Sequence, residues 1–134
     1  MRPPNLIWIK LVWVPIRMPK PKLILVVEDE PIVALSLQDM LDDLGYDVVG
    51  PAFRIAAALD LARTAAIDAA ILDVNMGGET SYGVAEALRG RGIPYLFATG
   101  YGRHGLEPGH EETLVLPKPY REAQVARALE TLLG

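Results

Sequence analysis

The sequence predicts an α/β fold, a doubly wound five-stranded parallel sheet with helices on both faces. Two observations carry this prediction. Short aliphatic runs recur along the chain without the alternation of a half-exposed strand, which indicates strands buried on both faces. Apolar residues at helical spacing follow four of the five runs. Because strands that alternate with helices are joined by right-handed crossovers, this order implies a parallel sheet covered on both sides.

The predicted elements follow one another without a repeat or a low-complexity tract. The strands are predicted at 23–27, 46–49, 69–72, 94–98 and 113–116, and the helices at 31–44, 55–66, 82–88 and 120–133. Pro31 favours the first turn of a helix, Gly45 is typical of a helix end, and Gly50-Pro51 is expected to end the second strand. In the first helix the apolar residues at helical spacing are Ile32, Leu35, Met40, Leu41 and Leu44. Residues 100–112 hold four glycines and one proline, so any helix there is expected to be short.

Length and composition narrow the class of protein. With 134 residues, 51% of them hydrophobic, the chain can bury one core, and we assign residues 22–134 to one domain and residues 1–21 to an extension of unclear role. The absence of cysteine excludes disulfides and thiolate metal sites and favours the cytoplasm. Residues 23–134 hold 8 basic and 17 acidic residues, which disfavours direct nucleic-acid binding and favours a protein partner.

The extension differs from the rest of the chain. Residues 6–14 are apolar apart from Lys10. The first 22 positions hold five basic residues and no acidic residue. The apolar run is too short to span a bilayer, which needs about 20 residues, and no signal-peptide cleavage pattern follows it. An extra edge strand, an oligomerisation arm, an interfacial anchor and an appendage upstream of a true start at Met18 all remain open. No membrane association is expected of the domain itself.

Polar side chains follow four of the predicted strands. Glu28 and Asp29 come after the first strand, Asp73 after the third, Thr99 after the fourth and Lys118 after the fifth. In doubly wound sheets ligands bind at the carboxyl ends of the strands. Three carboxylates that meet there repel one another, and Mg²⁺ would relieve the repulsion. Asp73 could then attack a phosphorus atom while a lysine ammonium and a threonine hydroxyl stabilise the phosphoryl oxygens.

Each of these residues also has a plain structural interpretation. The acids at 28–30 could stabilise a helix amino terminus, and Asp73, Thr99 and Lys118 could each lie in an ordinary turn. Their joint occurrence at four strand ends favours a site, because independent features then agree.

Four motifs in these positions resemble the receiver domain of two-component response regulators. They are VVEDEP at 26–31, ILDVNM at 71–76, FATG at 97–100 and LPKP at 116–119, and the likeness covers residues 22–134. The resemblance implies a phosphoacceptor domain rather than an enzyme. It implies that Asp73 is the phosphoacceptor and that Asp29, Asp73 and the main-chain carbonyl of Asn75 bind Mg²⁺. Glu28 would contact the ion through a metal-bound water. Thr99 and Lys118 would contact the phosphoryl group, and the bond from Lys118 to Pro119 is expected to be cis.

More narrowly, residues 94–102 resemble the FAT GUY receivers of alphaproteobacteria, with Tyr95 where Phe is usual. This resemblance implies a sensor histidine kinase as partner, with a histidine phosphotransfer protein as a second candidate. Because the given sequence ends at Gly134, directly after the last predicted helix, the output is expected to lie in another molecule.

Two features depart from the family pattern. Val115 stands where receivers usually carry an aromatic switch residue, so we expect output through the segment 100–112, with Tyr101 as a candidate moving aromatic. Pro117 precedes Lys118 and removes a strand hydrogen-bond donor. Two other functions remain: a degenerate receiver that only docks partners, and a phosphohydrolase with Asp73 as nucleophile. The second is disfavoured because Asn75 stands where such enzymes carry a general acid.

Overall fold

The computed structural model describes residues 6–9, 12–15 and 20–134. In chain order the elements are β1 (Leu6–Ile9), β2 (Val12–Pro15), β3 (Leu23–Val27), α1 (Pro31–Asp43), β4 (Asp47–Ala52), α2 (Ile55–Thr64), β5 (Ala69–Asp73), β6 (Asn75–Met76), β7 (Glu79–Thr80), α3 (Tyr82–Gly90), β8 (Tyr95–Thr99), a 3-10 helix (Gly102–Gly105), β9 (Val115–Pro117) and α4 (Glu122–Leu133).

The predicted fold class is confirmed. Five parallel strands form one sheet in the order β4-β3-β5-β8-β9, so the direction in which strands are added reverses next to β3. Helices α1 and α4 cover one face of the sheet, and α2 and α3 cover the other. The strands β3 and β5 meet at the point of reversal, where doubly wound sheets open a crevice at their carboxyl ends.

Strand β5 shows why unbroken apolar runs form the centre of this sheet. All five of its residues are buried. Because successive side chains point to opposite faces of a strand, Ala70 and Leu72 pack towards α2 and α3, whereas Ala69 and Ile71 pack towards α1 and α4. Both helical layers therefore pack against this one strand.

The second predicted strand is longer than expected. We expected Gly50-Pro51 to end it, but β4 continues to Ala52 through an irregularity in its pairing with β3, and the Gly50-Pro51 peptide is cis. Gly50 has φ 94°, and a Cβ there would lie 2.7 Å from the Ala52 nitrogen, so only glycine fits. The extension matters because the Ala52 carbonyl accepts a hydrogen bond from the N–H of Glu28 at 3.0 Å.

The buried face of α1 also differs from the apolar pattern in the sequence. Its buried residues are Ala34, Leu37 and Leu41, whereas Ile32 is 84% exposed and Leu35 is 56% exposed. The apolar residues between Ile32 and Leu41 thus lie on two different faces of the helix. One face packs on the sheet, and the other leaves two aliphatic side chains in contact with solvent.

The expectation for residues 100–112 is confirmed. The segment contains the short 3-10 helix Gly102–Gly105 and turns, and it replaces a helical crossover between β8 and β9. A second short feature was not predicted: β6 and β7 form a two-residue antiparallel pair between β5 and α3.

The extension contains a two-stranded antiparallel sheet in which Trp8 and Trp13 are register partners. This sheet is separate from the five-stranded sheet, so the edge-strand alternative is wrong for the described residues. Residues 1–5, 10–11 and 16–19, including the alternative start at Met18, lie outside the described residues. Among the described helices, none has the length and apolar character needed to cross a membrane.

Candidate functional site

The residues at the strand ends meet in one cleft of about 290 Å³ at the carboxyl edge of the sheet. Asp29, Asp73, Asn75, Thr99 and Lys118 all line this cleft, which we call the acidic cleft. Each follows or ends a strand, so the parallel arrangement of β3, β5, β8 and β9 is what brings them together.

Glu28 lies beneath the acidic cleft and is fully buried. Its main chain continues the β3–β4 ladder by donating to Ala52, which fixes the direction of the side chain. One carboxylate oxygen, Oε2, accepts a hydrogen bond from the N–H of Glu30 at 3.3 Å. The other, Oε1, lies 2.8 Å from Nζ of Lys118. A carboxylate buried so completely requires such a partner, because an isolated buried charge is strongly unfavourable.

Lys118 links the two buried acids of the site. Its Nζ donates to Oδ2 of Asp73 at 3.2 Å while forming the ion pair with Glu28. The peptide bond to Pro119 is cis, as expected. The N–H of Lys118 donates to the carbonyl of Thr99 at 3.2 Å, so the β8–β9 pairing sets the position from which the side chain reaches the acids.

The three carboxylates are close enough to share a cation. One oxygen each from Glu28, Asp29 and Asp73 lies within 4.8 Å of the others. The pKa of Glu28 is raised to about 7, chiefly by burial and then by the hydrogen bond to Asp73 and its charge, against the opposing effect of Lys118. Burial alone lowers the pKa of Lys118, but the hydrogen bond to Glu28 and the charges of both acids outweigh it and leave the pKa raised. One ammonium group therefore does not fully neutralise the acids.

These oxygens suit a hard divalent cation. Mg²⁺ prefers one or two carboxylates and keeps several waters, which matches two acids that line the cleft, Asp29 and Asp73, above the fully buried Glu28. Asn75 lies in β6, two residues beyond Asp73, and borders the same cleft. The residues present therefore fit the metal that the sequence predicts.

Thr99 connects the acidic cleft to the segment 100–112. The residue is 4% exposed, and its Oγ1 accepts a hydrogen bond from the N–H of Tyr101 at 3.1 Å. The Tyr101 ring itself is 74% exposed. The hydroxyl proton of Thr99 remains available for an oxygen in the cleft.

Sequence reasoning missed Tyr120 and the groove beside it. This groove of about 470 Å³ is lined by Ile32, Val33, Pro119 and Tyr120, and it shares Lys118 with the acidic cleft. The Tyr120 hydroxyl is buried without a hydrogen-bond partner among the described residues, and burial together with the charges of Glu28 and Asp73 raises its pKa. The only signal in the sequence was its position directly after Lys118-Pro119.

Comparisons with known proteins agree with this geometry. The family model described as response regulator receiver domain matches residues 24–130. The solution structure of SdrG from Sphingomonas melonis Fr1 is 45% identical, covers 87% of this chain and all of that one, and has a TM-score of 0.77. This similarity to an alphaproteobacterial receiver agrees with the narrower resemblance of residues 94–102.

Two further relatives are informative, one for the candidate metal site and one for the length of the chain. The receiver domain of the sensor histidine kinase PA1611 from Pseudomonas aeruginosa PAO1, solved with magnesium in its active-site cleft, is 26% identical, covers 85% of this chain and 98% of that one, and has a TM-score of 0.70. The phyllosphere-induced regulator PhyR of Methylorubrum extorquens is 28% identical over 82% of this chain and 43% of its own length. The chain thus spans about half the length of the curated relatives it matches first. On its fold, its motifs and the family match, the chain belongs to the response regulator receiver domain family of two-component signalling.

Proposed function

We propose that this chain receives a phosphoryl group on Asp73 from a partner histidine kinase and transmits that state by protein contact. The observation that carries the proposal is the arrangement around Asp73. Asp73 is 6% exposed, lines the acidic cleft, and is held at Oδ2 by the ammonium of Lys118. An immobilised carboxylate beside a fixed positive charge is suited to attack a phosphorus atom, because the charge that develops on the phosphoryl oxygens already has a partner.

In the proposed step one carboxylate oxygen of Asp73 forms a bond to the phosphorus of a phosphohistidine while the phosphorus–nitrogen bond breaks. The released imidazole takes up a proton, and Asp73 becomes an acyl phosphate. Lys118 shifts from the carboxylate to a phosphoryl oxygen, and the Thr99 hydroxyl donates to another. Glu28 retains the other side of the Lys118 ion pair and so keeps the ammonium in the cleft.

Asp29, Asp73 and the main-chain carbonyl of Asn75 would hold Mg²⁺ directly, with Glu28 acting through a metal-bound water. When bound, the ion neutralises negative charge on the transferring phosphoryl group. The close approach of three carboxylates beside the single ammonium of Lys118 supports this assignment, because a divalent cation would relieve the repulsion among them.

The surface beside the acidic cleft supports a protein as phosphodonor. The aliphatic side chains of Ile32 and Leu35 are exposed on α1, and the groove of Val33, Pro119 and Tyr120 adjoins them. Exposed apolar surface next to a reactive residue is typical of a docking site. A helical partner bound in this groove would place its phosphohistidine near Asp73, because Lys118 lines both the groove and the acidic cleft. A cytoplasmic location belongs to the same proposal.

The experiment that tests the proposal is intact-mass measurement after incubation with acetyl phosphate or phosphoramidate and Mg²⁺. We expect a hydroxylamine-labile gain of about 80 Da, the mass of one phosphoryl group, which Asp73→Asn abolishes. Asp42→Asn is the matched control, because it makes the same chemical change at an exposed acid on α1. Equal labelling of Asp73→Asn and the parent would refute the acceptor assignment. No labelling by either small donors or a cognate kinase would instead favour the docking-module alternative.

A further inference from the structure

The amino-terminal extension carries apolar and basic residues that the fold of the domain does not use. Its strands β1 and β2, which we call the apolar ribbon, contain eight residues and not one charged side chain, amide or hydroxyl. They pair with each other and not with the five-stranded sheet. A two-stranded ribbon alone is only marginally stable in water, so an apolar one needs a surface that covers it.

The outer face of α1 offers a complementary surface. Ile32, Leu35, Asp39 and Asp42 follow one another at intervals of three and four residues, so they form one stripe along the helix. All four are exposed, including the two large aliphatic side chains. This outer stripe is therefore apolar at its amino-terminal end and acidic at its carboxyl-terminal end.

The acidic end of α1 lacks the positive charge that a helix end favours. The carboxyl end of a helix carries a partial negative charge, which basic side chains stabilise and acidic side chains destabilise. The last turn of α1 has no basic residue but contains Asp42 and Asp43, and Asp47 follows at the start of β4. None of these acids forms an ion pair among the described residues. A basic segment bound here would relieve a repulsion that the domain itself leaves in place.

The extension leaves the domain beside this acidic end. The carbonyl of Lys22 accepts a hydrogen bond from the N–H of Asp47 at 2.9 Å, and Lys20 and Lys22 are both exposed. Residues 16–19, which separate the apolar ribbon from Lys20, can span at most about 14 Å. The ribbon is about 13 Å long and the outer stripe about 15 Å, so the two match in length.

The basic residues of the extension are placed to match the acidic end. Four of the five, Arg2, Arg17, Lys20 and Lys22, lie in sequence at the open end of the apolar ribbon, and only Lys10 lies at its turn. The open end is the end that joins the domain. A ribbon that follows the outer stripe from the carboxyl end of α1 therefore brings opposite charges together at one end and apolar residues together at the other.

We propose that the extension packs on the outer stripe of its own molecule, with the apolar ribbon over Ile32 and Leu35 and the basic residues at the acidic end of α1. The same chain is favoured over a second copy because so short a link gives a high effective concentration. An anionic lipid surface is disfavoured because residues 23–134, with 17 acidic and 8 basic residues, would be repelled by it.

The contact would regulate access to the domain. Ile32 and Leu35 belong to the surface on which we place the phosphodonor, so the extension has to leave α1 before that partner binds. This consequence rests on the proposed function, whereas the contact itself does not.

The composition of the chain allows a direct test of the contact. Trp8 and Trp13 are its only tryptophans, so the two indole N–H signals in an NMR spectrum of the full chain report the extension alone. Because the chain has no cysteine, Ser36→Cys creates a single site for a nitroxide spin label on the exposed side of α1. We expect both indole signals to lose most of their intensity. Glu86→Cys is the matched control, since α3 covers the other face of the sheet, and its label should leave both signals unchanged.

A second pair of variants tests the charge complementarity. With the label at position 36, Asp39→Asn combined with Asp42→Asn should restore most of the indole intensity, because the acidic end of the outer stripe is then neutral. Asp60→Asn combined with Glu86→Gln is the matched control, because these acids are exposed on α2 and α3, and the signal loss should stay at the parent's level. Amide signals of the five-stranded sheet at parent positions show that each variant is folded.

Four results would overturn the proposal. Full indole intensity beside the Ser36→Cys label would show that the extension does not lie on α1, and a blue shift of tryptophan fluorescence on phosphatidylglycerol vesicles would then identify an interfacial anchor. Equal signal loss from the Glu86→Cys label would show that the extension has no preferred position. Loss between a spin-labelled copy and a separate isotope-labelled copy would assign the contact to a dimer. Equal loss with and without the two acids of α1 would refute the charge complementarity. None of these results bears on Asp73, whose labelling by acetyl phosphate tests the proposed function separately.

Discussion

The two crossovers that flank β8 are built in opposite ways. The crossover before it contains α3, whose residues Val84, Ala85 and Leu88 are fully buried against the sheet. The crossover after it, residues 100–112, has no fully buried residue and only one short 3-10 helix. Both connect neighbouring parallel strands, so the topology does not require the difference. One connection is fixed by its core packing, and the other is held by few contacts.

This difference indicates which connection of the domain is rigid and which can change its conformation. Segments with few buried apolar contacts open at low free energy, whereas well-packed helices open only with the whole domain. Asp73 ends β5, directly before the crossover of α3, and the proposed function requires its geometry to persist. Thr99 ends β8, directly before the loosely held segment. On the proposed function, the acceptor thus precedes a well-packed connection, and Thr99, on the adjacent strand, precedes a loosely held one.

The largest effect on stability is expected from Leu88→Ala in α3. Leu88 is fully buried, and removing its isobutyl group leaves a cavity that the packed layer cannot fill. We expect the free energy of unfolding to fall by about 3 kcal/mol in urea titrations. Arg89→Ala, one residue later on the exposed side of the same helix, should cost less than about 0.5 kcal/mol. Similar losses in both variants would show that α3 is not the rigid partner in this comparison.

Mg²⁺ should stabilise the domain by a slightly smaller amount. Because a ligand that binds only the folded state adds stability by mass action, free Mg²⁺ at one hundred times its dissociation constant should add about 2.7 kcal/mol. Asp29→Asn removes one charge of the acidic cleft, so the same gain in the free energy of unfolding should require a higher Mg²⁺ concentration. Asp43→Asn, at the exposed end of α1, should leave the required concentration unchanged. Hydrogen exchange should show the gain in α3 but little change in residues 100–112. Identical Mg²⁺ dependence in both variants would remove Asp29 from the metal site.

Local sequence patterns were sufficient to predict the sheet and the positions of the candidate site. Buried parallel strands are unbroken aliphatic runs, and the residues after them must meet at one edge of the sheet. Asp29, Asp73, Thr99 and Lys118 could therefore be found without a structure. The roles assigned to them stay predictions.

Features that depend on packing between distant segments could not be predicted in this way. Ile32 and Leu35 continue the apolar spacing of α1, but which residues of that helix face the sheet is decided by its docking angle. The extension of β4 to Ala52 depends on a close approach of Gly50 to the carbonyl of Val26. The contacts of His110 and Gly105 join loop residues to α3 and β8, and nothing in the spacing of a glycine-rich segment indicates them.

The smallest of the three effects, and the sharpest test of the comparison, is expected from His110→Ala. The variant removes the ring that stacks on Tyr82 and meets Phe97, and such aromatic contacts contribute about 1 kcal/mol. His104→Ala is the matched control, because His104 lies in the same segment with an exposed side chain. We expect faster hydrogen exchange at Leu106 and Glu107 in His110→Ala alone, with exchange in α3 nearly unchanged. If α3 is deprotected to the same extent, the segment unfolds with the domain rather than separately, and the two crossovers do not differ in the way that their packing indicates.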